Sequence, residues 1–208
     1  MKTNSRKIAL TAIFFALIAI LSFTPLGFVP IVPGVIDMAF LYLVVIIVAA
    51  QTQGLWIGVA CSTFFGVCSL INAYVYPTKL MSICFQNPLI SVLPRICIGF
   101  TTYFSYRLFC KCFAKAKSRF WSTTAASAFS ALVGVVTNTA LVLGGIALGY
   151  GNLYLESQGM DMLTFLATVV LVFNFPIELV TNFLLVPPVT LAVRKINPTT
   201  EQQNDSGN

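Results

Sequence analysis

Residues 54–73 read GLWIGVACSTFFGVCSLINA, twenty positions without Asp, Glu, Lys or Arg. At about 1.5 Å per residue, an α-helix of that length spans about 30 Å, the thickness of a bilayer's hydrocarbon core. Comparable apolar runs occupy 8–23, 34–50, 89–109, 122–148 and 162–193. Six spans of about 20 residues use about 120 positions, which leaves short loops in a chain of 208. The composition agrees: 58% hydrophobic and 9% charged, against about 25% charged in a soluble domain. The expected fold is an all-α, polytopic bundle of six transmembrane helices over 1–196, followed by a polar, disordered tail over 197–208. The last two runs exceed a membrane's thickness and must tilt, kink or project. Pro176 and Pro187-Pro188 mark the kinks, because proline lacks an amide donor and clashes with the preceding turn.

The run 8–23 follows Lys2, Arg6 and Lys7 like a secretory signal, but Ser22-Phe23-Thr24-Pro25 offers no small-residue cleavage site, so it reads as a retained first helix. Ten of the twelve bases fall on one side of a six-span topology: those three, then Arg107, Lys111, Lys115, Lys117 and Arg119, then Arg194 and Lys195. The positive-inside rule places both termini in the cytoplasm. The net charge of +6 is thereby assigned to the bilayer rather than to nucleic acid. With no histidine in the chain, a Ser-His-Asp triad, a Cys-His pair and His-ligated zinc are all excluded. No phosphate-binding GxxxxGK[ST] loop occurs either. Any active transport must therefore borrow its energy, and the expectation is a protein that is not an enzyme, with no cofactor and no metal. Cys61, Cys68, Cys84, Cys97, Cys110 and Cys112 mostly lie in spans and read as free thiols.

Helices in lipid approach closely where side chains are small. Gly54, Gly58, Ser62 and Gly66 recur every four residues and predict a packing face on the third span. Ala12 and Ala16 form an A-x-x-x-A on the first. Ionisable residues inside a bilayer cost at least about 2.5 kcal/mol, which singles out Asp37, Arg95 and Glu178. Asp37 reads as a carboxylate at the N-terminus of the second span. Arg95 offers a planar fork of donors suited to a carboxylate or phosphate. Asn174, Glu178 and Asn182 follow one another at helical spacing and share a face. Counting residues from the outer ends places Asn138 and Asn174 at one depth, as a pocket floor. Glu178 lies deeper and reads as structural. Asn72 and Asn87 stand at the outer margin as a rim.

Three stretches carry a family resemblance: 23–31 (FTPLGFVPI), 87–96 (NPLISVLPRI), and in span six NFPIEL at 174–179 with LLVPP at 184–188. Through these the chain resembles the substrate-binding S components of energy-coupling factor (ECF) vitamin transporters, most of all the pantothenate-specific branch. The resemblance implies a vitamin pocket open to the outside. It also implies docking through Ala12 and Ala16 to a transmembrane coupling subunit that carries two ATPase subunits. Pantothenate suits the residues: Arg95 for its carboxylate, Asn87, Asn138 and Asn174 for its hydroxyls and amide, and the aromatics of the first loop for its dimethyl group. An S component for another vitamin, a solitary carrier and a membrane assembly protein without a ligand stay open on the residues alone.

Overall fold

The computed structural model describes residues 2–24, 29–32, 36–38, 40–77, 80–115, 118–150, 154–155 and 160–196. The polar tail and most of the first loop, including its Phe28, lie outside them. Helix α1 (Lys2–Phe23) leads to an antiparallel ribbon of β1 (Val29–Val32) and β2 (Ile36–Met38). Helices α2 (Phe40–Gln53) and α3 (Leu55–Val75) follow, then the short α4 (Leu80–Phe85) and α5 (Pro88–Ser91), then α6 (Leu93–Cys112). A 3-10 turn at Phe113–Lys115 precedes the long α7 (Arg119–Tyr150). A second ribbon, β3 (Tyr154–Leu155) and β4 (Met160–Asp161), leads into α8 (Met162–Val169), a π turn (Val170–Asn174) and α9 (Phe175–Ile196).

Among the described residues, four helical stretches are long and apolar enough to cross a membrane: Ser5–Phe23, Leu55–Val75, Arg119–Tyr150 and Leu163–Ile196. Leu41–Gln53 is a shorter apolar helix. The expected second span, 34–50, is thus cut back. Asp37 sits in β2, opposite Pro30, and the helix starts only at Phe40. The correction has a local cause, since β-branched Val29, Ile31, Val32 and Ile36 around Pro33-Gly34 favour a hairpin over a helix start. The expected fourth span, 89–109, is divided at Val92 into α5 and the twenty-residue α6.

The stripe on α3 packs inward. A Cβ on Gly58 would come within 2.6 Å of the Ala50 Cα, and one on Gly66 within 3.0 Å of the Val92 Cα. Gly54 belongs to a different feature. Its φ of 95° makes the one-residue turn between α2 and α3, a backbone conformation that L side chains rarely adopt.

Where α2 ends, a buried polar knot joins three helices. The Gln51 amide donates to the Ser127 carbonyl (3.1 Å) and to Ser130 Oγ (2.7 Å), and Gln51 Oε1 accepts from Ser127 Oγ and Thr190 Oγ1, both at 2.7 Å. Removing a buried partner costs about 1–3 kcal/mol for each group left unsatisfied. Gln51→Leu is therefore expected to lower the melting temperature of the purified protein by about 5 °C without changing substrate affinity. A thermal melt with and without ligand checks both.

Two apolar clusters fill the interior. One gathers α1, α2 and α3 with Ile98 of α6, Ala131 and Val135 of α7 and Val186 of α9. The other gathers Cys84 of α4, Ile90 of α5, Val142 and Ile146 of α7, Leu166 and Val169 of α8, and Val170.

Candidate functional site

Three chain segments pass from one apolar cluster to the other, and each carries its polar residues at the crossing. Arg95 lies between Ile90 and Ile98, Asn138 between Val135 and Val142, and Asn174 with Glu178 between Val170 and Val186. Polar side chains from three segments, a polar layer, thus interrupt the apolar interior.

Arg95 is built in by proline chemistry. Pro94 has no amide hydrogen, so the Ile90 carbonyl loses its helical partner. The Arg95 guanidinium takes that carbonyl through an NH1 bond of 3.2 Å. From below, the Ser62 hydroxyl donates to the Arg95 carbonyl, fixing α6 against α3. The guanidinium carbon lies 4.7 Å from the centroid of Phe85 and 5.5 Å from that of Phe65, an aromatic seat for the cation. Phe85 is held in turn by its neighbour Gln86, whose amide donates to the Ala73 carbonyl and whose own carbonyl accepts from the Tyr74 hydroxyl. Arg95 is 5% exposed, and its Nε has no hydrogen-bond partner.

The facing wall is built by another proline. Pro176 cannot donate to the Val172 carbonyl, and the helix widens just before it, with the Phe175 amide reaching back five residues to the Val170 carbonyl. Such π turns re-aim the side chains around them. Glu178, 2% exposed, follows at once. Its Oε1 accepts from Asn174 Nδ2 at 2.9 Å, and its backbone carbonyl accepts from Asn182 Nδ2 at 2.8 Å. The face expected at 174, 178 and 182 therefore forms. Glu178 and Arg95, on α9 and α6, lie within electrostatic reach of each other. Buried and without a hydrogen-bond partner are Glu178 Oε2, Asn174 Oδ1, Asn182 Oδ1 and Asn138 Oδ1.

The rim asparagines are otherwise engaged. Asn87 Oδ1 accepts the Leu89 amide at 3.0 Å and caps α5, ahead of Pro88 at its first turn. Asn72 Nδ2 donates to the Ser22 carbonyl at 3.2 Å, tying α3 to the end of α1. Ala12 and Ala16 are exposed on α1, opposite the face that buries Leu10, Phe14 and Ile18. The Gln51 knot escaped the sequence reading, since its partners Ser127, Ser130 and Thr190 are ordinary residues far apart in the chain. All six cysteines are free; Cys61, Cys68 and Cys84 are buried.

A layer with a seated cation, a carboxylate and unsatisfied amide oxygens suits a small polar molecule bearing an anionic group. A search of curated proteins finds no match. A protein-family model for the ECF transporter, substrate-specific component, matches residues 6–190.

Proposed function

This chain belongs to the substrate-specific components of ECF transporters, and from that premise we propose that the vitamin it captures is pantothenate. Membership makes it a multi-pass membrane protein that binds a small substrate and couples to the ECF module, a transport component and not an enzyme. The observation that carries the substrate reading is the buried Arg95 guanidinium, seated on Phe85 and Phe65 with Nε unpaired. A single carboxylate is its natural partner, because charge-assisted N–H···O bonds are the strong ones and the fork fixes their direction. Asn138 and Asn174 present acceptor oxygens to the hydroxyl and amide protons of the same ligand, while Asn72 and Asn87 hold the rim in shape.

In this reading six segments cross a bacterial cell membrane, with α2 completed by the ribbon before it, both termini are cytoplasmic, and the polar layer opens outward. Arg107, Lys111, Arg119 and Arg194 support it by gathering at the end of the bundle that carries the Gln51 knot, together with exposed Trp56 and Trp121, the residues enriched at membrane interfaces. A single cysteine placed near Lys115 in a cysteine-free variant is expected to resist impermeant thiol reagents in intact cells; rapid labelling there reverses the topology. Ala12 and Ala16 are the docking face for the transmembrane coupling subunit, which carries two ATPase subunits.

The substrate is tested by thermal shift and calorimetry on the purified chain. A ligand at 100 times its dissociation constant stabilises by about 2.7 kcal/mol, so pantothenate is expected to raise the melting temperature by several degrees. Mass spectrometry of the small molecule that co-purifies checks the identity independently. Another vitamin in that position overturns the substrate, leaving the family in place.

A further inference from the structure

Glu178 has only half of its hydrogen-bonding capacity used on its carboxylate. Oε1 accepts from Asn174, while Oε2 is buried and has no partner. An ionised carboxylate accepts hydrogen bonds at both oxygens and donates none. If Glu178 served only to brace α9, an ion pair with Arg95 would complete both groups, yet Arg95 Nε and Glu178 Oε2 are each unpartnered. One NH1 donor of Arg95 goes to the Ile90 carbonyl. The two groups lie close enough for their charges to interact.

We infer that Glu178 is a substrate-contacting, specificity-determining residue: its Oε2 accepts a hydroxyl or amide proton from the bound molecule, and its charge excludes a second anionic group there. The site thus takes a monocarboxylate whose other end carries hydroxyl or amide donors, and it rejects dicarboxylates. The inference rests on the reading in which Arg95 holds the carboxylate. Asn174, which bonds to Glu178, and Asn138 each keep a buried Oδ1 without a partner as further acceptors, so this end of the site takes donors, as the Arg95 end takes an acceptor.

The test is a calorimetric comparison of wild type with Glu178→Gln, using pantothenate and its dicarboxylate analogue, in which the terminal hydroxymethyl group is oxidised to a carboxylate. Gln keeps an oxygen for Asn174 and presents an NH2 where an acceptor stood. Pantothenate binding is expected to fall roughly 30-fold, the loss of a hydrogen bond to a charged group, while the dianion, rejected by wild type, binds the variant better than it binds wild type. A folded variant with wild-type preference between the two ligands overturns the inference. If wild type binds neither ligand, the pantothenate reading fails and Glu178 is decided by access: Glu178→Cys in a cysteine-free background reacts with a small impermeant methanethiosulfonate from outside if the residue lines a ligand site. Unreactive Cys at 178 beside reactive Cys in Asn138→Cys overturns it. If Glu178→Gln does not fold, Glu178→Asp takes its place, with the acceptor retained and the dianion still rejected; acceptance of the dianion by that variant overturns the inference.

Discussion

Arg95→Ala is expected to weaken pantothenate binding roughly 30-fold or more, the size of a lost buried, charge-assisted contact. Alanine removes the guanidinium from its seat on Phe85 and leaves the Ile90 carbonyl without the donor that Pro94 already denied it. That second loss acts on the fold, so the variant must be shown to melt as a folded protein. Arg95→Lys separates the two effects. It keeps the charge and loses the planar fork, and its affinity is expected to fall between alanine and wild type. The alcohol analogue, with the carboxylate reduced, supplies the complementary arm: weak binding to wild type, and indifference to Arg95→Ala. Wild-type affinity in a folded Arg95→Ala protein, measured by calorimetry, removes the anion clamp.

Ala12→Leu combined with Ala16→Leu is expected to abolish co-purification with the coupling subunits and ATP-dependent uptake, while pantothenate binding by the isolated chain stays as in wild type. The geometry explains the split. At 100° per residue, Ala12 and Ala16 fall near the middle of the arc on α1 that also exposes Ile13, Leu17 and Ile20, and the opposite arc carries Leu10, Phe14 and Ile18 into the core. Leucine there fills no internal space and adds bulk where a neighbouring helix must come close. Arg95, Asn138 and Glu178 stand on α6, α7 and α9 and take no support from that arc. Uptake at the wild-type rate shows that the coupling subunit docks elsewhere. Loss of binding along with uptake assigns the two alanines to internal packing.

The helical, membrane-embedded character of the chain was legible in composition and run length, because the cost of placing a residue in hydrocarbon is nearly a sum over residues. The face shared by Asn174, Glu178 and Asn182, and the close-packed stripe of Gly58, Ser62 and Gly66, were legible for a similar reason: helical periodicity is local and survives any arrangement of neighbours. Arg95 stood out because a charge in an apolar run must be explained.

Hydrogen-bond allocation was decided only by the tertiary structure. Asn87 has the chemistry of a ligand contact, but Pro88 starts a turn after it and the side chain is used as a cap. Asn72 is used by the end of α1, fifty residues away in sequence. Counting residues inward assumes a straight helix of constant rise. The π turn before Pro176 and the break at Val92 before Pro94 change that rise on α9 and α6. Hydropathy and periodicity are properties of one segment. Which carbonyl a proline strands, and which side chain reaches it, depend on how the segments pack, and in this chain those pairings determine which polar atoms are left unpaired.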